Sequence, residues 1–198
     1  MSKLGFFDAS YHLPCIVRDP RPQADATRGS VVRQYSEAVD IFPTICEAFG
    51  LAVPAAVDGQ ALTPFLQSTE GLAKNPRHVA GWEKDTVHFE YDFRGSAQDL
   101  GVDAHECSIC SQRGLRWKYV QFSHPSWPPL LYDIQTDPDE MVNLAGEVAH
   151  VATLLECATT MLRWRMRHTD HRLTHLGLGQ GGALPRSLTM HEGRTARL

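Results

Sequence analysis

Cys107 and Cys110 form a C-x-x-C spacing, the arrangement of cysteines in this chain best suited to metal or redox chemistry. His105 and His124 lie close to them in the sequence and could complete a set of zinc ligands. A single C-x-x-C without a second pair is weak evidence for zinc, and residues three apart in a strand point to opposite faces. We therefore interpret both cysteines as buried or edge thiols, with zinc binding and a redox role as the alternatives.

Three further groups of polar residues could contact an anionic ligand, and we favour a structural interpretation of each. His12 could line the mouth of a pocket, but packing at a turn accounts for it. Arg94 could bind a negative group, but an ion pair with Asp92 or Asp99 is the simpler interpretation. The basic sequence of residues 163–168 suits the negative end of a helix dipole, which favours helix capping and solvation over ligand binding.

The composition is typical of a globular protein and excludes several functions. The chain has 198 residues, of which 42% are hydrophobic and 21% charged, and its formal net charge is -4. It therefore lacks the basic footprint of a nucleic-acid-binding protein, and its apolar stretches are too short to span a membrane. An odd number of cysteines without a recognisable secretory signal argues against a disulfide framework. We therefore predict a cytoplasmic protein in which Cys15, Cys46 and Cys157 are small buried hydrophobic residues.

The first half of the chain has the pattern of an α/β core. Residues 14–20 form a short apolar run between prolines and predict a buried strand, and residues 31–39 predict a short strand or an extended segment. Residues 40–50 predict a helix with Asp40 as the N-cap. Residues 57–66 predict a turn and a short helix. The apolar face predicted for the longer helix consists of Ile41, Ile45 and Phe49.

The second half predicts an antiparallel sheet followed by a long helix. Four runs rich in aromatic and β-branched residues are separated by short turns, which indicates a meander; they are residues 87–93, 107–112, 115–122 and 130–135. A helix is predicted from about residue 147 to residue 167, because apolar residues recur there at spacings of three and four. These residues are Val148, Val151, Leu155, Ala158 and Leu162.

Several segments together carry a family resemblance. "VDIFPTICEAFGL" (39–51) is followed by "VDGQALTPFL" (57–66) and later by "PPLLYDIQTDPDEMVNLA" (128–145). With "KLGFFDASYHLPCIVRDP" (3–20) and "LRWRMRHTD" (162–170), they resemble the C-terminal third of a sulfatase-type enzyme of the alkaline phosphatase superfamily. The similarity is greatest to the phosphonate monoester hydrolase branch.

The resemblance implies a fold and a division into domains. The fold class is α/β, with the C-terminal part of an alkaline-phosphatase-like α/β core plus a small antiparallel sheet and a long C-terminal helix. We assign residues 1–70 to the partial core, 71–86 to a linker and 87–168 to the antiparallel α+β subdomain. Residues 169–198 are expected to form a flexible tail or an oligomerisation arm.

The resemblance also implies a reaction, the hydrolysis of a sulfate, phosphate or phosphonate ester. The family uses a formylglycine nucleophile made from the C/S-x-P-x-R motif and a divalent metal (Mn, Ca, Mg or Zn), and none of the five cysteines stands in that motif. The family's metal ligands have no counterpart either, since Asp170-His171 is followed by Arg172 and lies beyond the final helix. We therefore expect the reactive part to lie upstream, no metal to be held by this chain and no turnover by the chain alone.

Lys3 is the family active-site residue that matches a position in this chain. The resemblance implies that it reaches the transferred group and the oxygen of the nucleophile, where an ammonium can face an anionic oxygen. In the isolated chain, a solvated terminal lysine is the favoured interpretation. The substrate implied is a small anionic ester, with no nucleic acid and no membrane as partner. A homo-oligomer is allowed, and the alternative function is a non-catalytic binding or assembly module.

Overall fold

The computed structural model describes residues 5–54, 57–67, 82, 84–168, 176–179 and 182–185. Its centre is a four-stranded antiparallel sheet in which each strand pairs with the next one along the chain. The strands are β1 (Thr86–Asp92), β2 (Ser108–Gly114), β3 (Trp117–Phe122) and β4 (Leu130–Asp133). The predicted meander is therefore confirmed, and each strand lies within two residues of its predicted start.

Five helices accompany the sheet in the described part of the chain. They are α1 (Asp8–Tyr11), α2 (Ile41–Ala48), α3 (Thr63–Gln67), α4 (Ala97–Leu100) and α5 (Val151–His168). Short 3-10 turns at Ala38–Asp40 and Val148–His150 lead into α2 and α5. The predicted long helix is confirmed, and the mixed α/β class is confirmed with it.

Helix α5 packs on one face of the sheet. Cys157 and Met161 of the helix join Tyr119 and Leu131 of the strands in one buried cluster. Burying these side chains removes apolar surface from water and holds the helix against the strands. Four of the five apolar residues whose spacing predicted the helix, Val148, Val151, Leu155 and Leu162, are exposed, so the buried face of α5 is a different one. Helical spacing identifies apolar stripes, and α5 carries two of them.

The predicted strand at residues 14–20 is absent. No strand is assigned there, Ile16 is 94% exposed and Cys15 is exposed as well, against the prediction that it is buried. A strand needs a neighbour to accept its backbone hydrogen bonds, and no described strand lies beside this run. Residues 31–37 are likewise not paired into a strand.

Helix α2 forms as predicted but buries a different face. Pro43, Thr44 and Cys46 are its buried residues, whereas the predicted face is exposed. Asp40 precedes the helix but its side chain makes no cap hydrogen bond to α2. Its carboxylate accepts instead from the amides of Glu37 and Gln60, so it ties the helix start to a loop twenty residues later. The apolar face left exposed is Ile41, Ile45 and Phe49.

A second, smaller cluster and a hairpin complete the described structure. Trp82 packs against Leu62 and Phe65 in a buried cluster, and its indole N–H donates to the carbonyl oxygen of Tyr35 at 3.0 Å. Trp82 falls within the segment predicted as a linker, most of which lies outside the described residues. In the tail, β5 (Leu176–Gly179) pairs antiparallel with β6 (Gly182–Pro185), a pairing that the sequence did not predict. The domain boundaries stay a prediction.

Candidate functional site

Helix α1 lies five residues after Lys3 and fastens the start of the chain to the sheet. Lys3 itself lies outside the described residues. The face of the sheet that receives α1 is the one opposite α5, since Lys118 alternates with Tyr119 along β3. The segment that follows Lys3 therefore has a fixed position on the sheet.

Asp8 is the centre of this attachment. Its carboxylate accepts from the Lys118 ammonium at 2.9 Å and from the Arg113 guanidinium at 3.0 Å. Its backbone N–H donates to the Glu140 carboxylate at 3.0 Å, and Glu140 accepts from Lys118 at 2.7 Å. Burial raises the pKa of Asp8, but the two cations outweigh that effect and hold the pKa below its ordinary value. Both charges of Lys118 and Glu140 are buried, and each has an opposite partner.

Aromatic rings supply the apolar part of the same attachment. Tyr11 stacks on Phe89 of β1 with ring centroids 3.7 Å apart. Phe6 packs edge-on against Phe122 at 6.1 Å and lies over Tyr132 at 6.4 Å. Aromatic pairs at such separations are favourable beyond the area they bury. The N-terminal segment is thus held by both charge pairs and ring contacts.

The motif "DPDEMVNLA" (137–145), which follows β4, uses its polar residues to hold this part of the fold together. Glu140 adopts a left-handed backbone with φ 57°, which directs its carboxylate to Asp8 and Lys118. Asp137 accepts from the backbone amides of Met141 and Val142. Asn143 accepts from the amides of Leu131 and Ala145, so the loop is tied back to β4. These contacts indicate that the polar residues of this motif are scaffold rather than catalytic machinery.

A second buried ionic network joins the α2 region to β1. The Lys84 ammonium lies 2.7 Å from the Asp40 carboxylate, which is fully buried, and 2.9 Å from Glu37. Glu37 also accepts from the backbone N–H of His88 at 2.9 Å. Burial lowers the pKa of His88 to about 4, despite the nearby Glu37 carboxylate. Its ring stacks on Trp164 of α5 with centroids 4.2 Å apart.

Gly59 explains the aspartate-glycine step in "VDGQALTPFL". A Cβ at this position would lie 2.0 Å from the carbonyl oxygen of Val39 and 2.9 Å from the amide nitrogen of Asp40. The loop therefore crosses the start of α2 at backbone contact, which only glycine allows. That crossing brings Gln60 N–H within 2.9 Å of the Asp40 carboxylate.

The cysteine pair is structural. Cys107 and Cys110 are both buried and free. Burial raises the pKa of Cys110 to about 11 and also raises the pKa of Cys107, so both are protonated thiols near neutral pH. His124 lies 3.5 Å from Glu106 rather than beside the thiols. The prediction of buried thiols is confirmed.

The other candidate residues lie apart from one another. His12 is exposed at the end of α1. Arg94 pairs with Asp92 on the surface, as predicted. Arg165, in the basic last turns of α5, pairs with Glu90 of β1 at 2.6 Å. Nothing in the described part of the chain brings these side chains to one point.

The described residues do not fit a divalent metal. Among the described residues no group of three or more His, Cys, Asp or Glu side chains is arranged to hold one. The buried carboxylates of Asp40 and Glu140 and the half-buried carboxylate of Asp8 each pair with a lysine ammonium. A metal ion would have to displace these cations.

Sequence analysis missed the buried ion pairs of Lys118 and Lys84. The burial of Lys118 could have been predicted from the strand pattern. Alternation along β3 puts Lys118 on the same face as Val120, which is fully buried. A lysine at a buried strand position requires an acidic partner. Which acid supplies it depends on the tertiary fold, since Asp8 and Glu140 lie 110 and 22 residues away.

The fold places the chain in a class of hydrolases. The phosphonate monoester hydrolase of Agrobacterium radiobacter superposes with a TM-score of 0.71 at 35% identity, covering 92% of this chain and 35% of that chain. A phosphonate monoester hydrolase from Silicibacter pomeroyi gives a TM-score of 0.58 at 30% identity, covering 77% and 29%. The four-stranded sheet with its C-terminal helix is thus a sulfatase and phosphonate hydrolase fold.

The chain belongs to the family described as N-sulphoglucosamine sulphohydrolase, C-terminal, which matches residues 2–167. The multifunctional alkaline phosphatase superfamily protein PehA of Trinickia caryophylli is 34% identical over 180 residues, covering 88% of this chain and 32% of that protein. Arylsulfatase K of Bos taurus is 28% identical over 159 residues, covering 78% and 26%. The chain therefore spans between a quarter and a third of the length of these relatives, and the predicted family is confirmed. None of the described helices combines the length and apolar character needed to cross a membrane.

Proposed function

We propose that this chain is the C-terminal portion of a metal-dependent hydrolase of sulfate, phosphonate or phosphate esters, and that it has no turnover alone. The observation that carries the proposal is its likeness to the C-terminal third of phosphonate monoester hydrolases, at 35% identity over most of its length. The nucleophile motif and the metal ligands then belong to the remainder of the fold. Small anionic esters are the substrates.

The exposed apolar surface of residues 13–53 supports this proposal. Ile16, Val31 and Phe49 are 94%, 76% and 76% exposed, and Leu51 is 61% exposed. So many large apolar side chains left exposed in one segment are typical of an interaction site or an incomplete core. We propose that the remainder of the α/β core covers it. The predicted strand at residues 14–20 would then form by pairing with that remainder.

Lys3 is the contribution of this chain to the reaction. An ammonium is a compact charge with three donors, suited to an anionic oxygen on the transferred group. The attachment of α1 through Asp8, Lys118 and Glu140 fixes the position of the backbone five residues beyond Lys3. We propose that this attachment sets where Lys3 can reach.

The cofactor and the compartment are part of the same proposal. The metal is Mn, Ca, Mg or Zn, held outside this chain, because the described residues offer no site for it. A cytoplasmic location is supported by five cysteines that are all free, as expected where thiols stay reduced.

The test is a chimera in which this chain replaces the C-terminal third of the Trinickia relative. Hydrolysis of a 4-nitrophenyl phosphonate monoester and of 4-nitrophenyl sulfate would be measured with Mn²⁺. We expect no turnover by the chain alone and turnover by the chimera. The Lys3→Met chimera should lose about 100-fold or more in kcat, the usual effect of removing a donor to a developing anion.

Lys74→Met, in the segment predicted as a linker, is the matched control and should leave kcat within about two-fold. Turnover by the purified chain alone, with its mass confirmed, would overturn the prediction of inactivity. A folded chimera that binds metal but is unaffected by Lys3→Met would overturn the role of Lys3.

A further inference from the structure

Helix α5 carries a second apolar stripe that faces away from the sheet. Val151, Leu155, Leu162 and Met166 are 55%, 67%, 59% and 64% exposed, and they recur at helical spacing along one face. We call these four residues the outer stripe. Its face is distinct from that of Cys157 and Met161, which pack on the sheet.

The outer stripe is not required by the fold of the chain. The sheet already holds α5 through the buried cluster, and the outer stripe contributes nothing to it. A surface helix normally carries polar residues on its solvent face. Val148, one turn before the helix proper, is 89% exposed and extends the same apolar face. An apolar surface of this extent indicates an interface.

We propose that the outer stripe is the interface of a homodimer in which two copies of α5 pack antiparallel about a two-fold axis. The order of residues is self-complementary. In a pair centred between Ala158 and Thr159, Leu155 of one copy faces Leu162 of the other. Val151 faces Met166 about the same centre, so that a small residue packs against a large one.

The charges beside the outer stripe complement each other in the same arrangement. Glu156 and Arg163 lie two helical turns apart on one flank, and both are exposed. Neither forms an ion pair with another described residue. They lie almost symmetrically about the centre of the pair, so Glu156 of each copy meets Arg163 of the other. In a parallel pair, like charges would meet instead.

The small residues at the centre fit a close crossing. Ala158 is partly buried and packs at the margin of the core cluster, and Thr159 lies beside it. Their short side chains permit the two helices to approach along the middle turns, while the leucines on either side interdigitate. This dimer goes beyond the proposed function, because it requires neither catalysis nor the remainder of the hydrolase.

Sedimentation of the full chain over a range of concentrations tests the dimer. We expect a species of about twice 22.1 kDa for the wild type. For Leu155→Glu we expect a dissociation constant at least about ten-fold higher, which favours the monomer. Because Leu155 is exposed, circular dichroism of that variant should match the wild type. Val17→Glu, on the other apolar surface, is the matched control and should leave the dimer intact.

Disulfide cross-linking tests the orientation in a Cys15→Ser background, since the other four native thiols are buried. Ala158→Cys should cross-link with itself, and Leu155→Cys should cross-link with Leu162→Cys in a mixture. Ala152→Cys, far from the centre, should not cross-link with itself. Cross-linking of every position with itself would show a parallel pair and overturn the proposal.

A wild-type monomer at 100 µM would also overturn the proposal, since the stripe would then be covered within the chain or left bare. A dimer unaffected by Leu155→Glu would place the interface elsewhere and would overturn it too. If the dimer proposal fails, the proposed function is unaffected, because the chimera assay measures ester hydrolysis and its dependence on Lys3 and does not depend on the oligomeric state of the chain.

Discussion

At the scale of single residues, the structure gives physical roles to positions that a family pattern only marks. Gly59 stands where backbone meets backbone, and Asp40 is a buried carboxylate that accepts from three donors, the amides of Glu37 and Gln60 and the ammonium of Lys84. His88 is a neutral ring held between Trp164 and the Glu37 network. Distances and burial establish each of these roles, and those of Gly59 and His88 lead to predictions about the stability of the chain.

Gly59→Ala should destabilise the chain by about 3 kcal/mol or more, at the upper end of overpacking costs. The added Cβ would lie 2.0 Å from the Val39 carbonyl oxygen, so the loop must move away from α2 and the Gln60–Asp40 hydrogen bond is lost. Urea unfolding measures the change. Gly95→Ala is the matched control, since a Cβ there meets nothing within 4 Å, and equal effects of the two substitutions would contradict the explanation.

His88 should make the chain less stable as the pH falls from about 6.5 toward 4. Its pKa is about 4 in the folded chain and 6.5 when unfolded, so the unfolded state takes up the proton first. The contribution of the neutral His88 to the free energy of unfolding is fully present above pH 6.5, and about 2–3 kcal/mol of it is lost as the pH falls across this window. The groups around the ring are Glu37, Gln112, His168 and Lys84.

His88→Phe keeps a ring against Trp164 but cannot titrate. Its free energy of unfolding should therefore vary less between pH 6.5 and 4 than that of the wild type. His105→Ala, at an exposed turn, should keep the wild-type slope. An unchanged pH profile in His88→Phe would show that another group causes the loss of stability.

At the scale of elements, two faces of one sheet have different partners. Helix α5 covers one face through an apolar cluster, whereas α1 covers the other through rings and buried charges. The second kind of contact is specific because Lys118 needs both of its carboxylates. The attachment therefore places α1, and with it the segment after Lys3, in one register on the sheet.

Lys118→Met should cost about 3–5 kcal/mol, the usual effect of breaking a buried ion pair, because the buried Glu140 carboxylate would lose its cation while Asp8 would keep only Arg113. Hydrogen exchange of residues 5–12 should rise in the same variant, because Asp8 and Glu140 would repel each other. Arg94→Met removes only the exposed surface pair with Asp92 and should change the free energy of unfolding far less than Lys118→Met does. Unchanged exchange at residues 5–12 in the Lys118 variant would contradict the role of this network.

At the scale of the whole molecule, the chain presents two exposed apolar surfaces with different proposed occupants. The surface of residues 13–53 is proposed to meet the remainder of the hydrolase fold, and the outer stripe of α5 a second copy. The two surfaces involve different elements, so substitutions can separate them.

Phe49→Lys combined with Leu51→Lys should raise the solubility of the chain and reduce non-specific association, because both side chains are exposed. Light scattering at increasing concentration measures the effect. The antiparallel dimer should persist in this variant, whereas Leu155→Glu should remove the dimer and leave the non-specific association. Loss of all association in either variant alone would show that there is one interface and not two.

Local sequence patterns and the family resemblance were enough to predict the family, the four strands and the long helix. Alternation and helical spacing are local properties, so β1 to β4 and α5 appear in the pattern of side chains before any contact is known. The scaffold role of "DPDEMVNLA" and the burial of Cys107 and Cys110 were also predictable. Lys3 stays a prediction from the family resemblance.

Which apolar faces are buried and which charges meet depends on tertiary packing. Spacing shows that α2 and α5 carry apolar stripes, but it does not say which stripe is buried, and most of the apolar residues that predicted these two helices are exposed. The run at residues 14–20 is not a strand because a strand exists only beside a partner. Lys118 pairs with Asp8, which lies 110 residues away in the sequence. A buried charge is stable only beside an opposite charge. Which acidic residue lies beside Lys118 depends on how the whole chain packs.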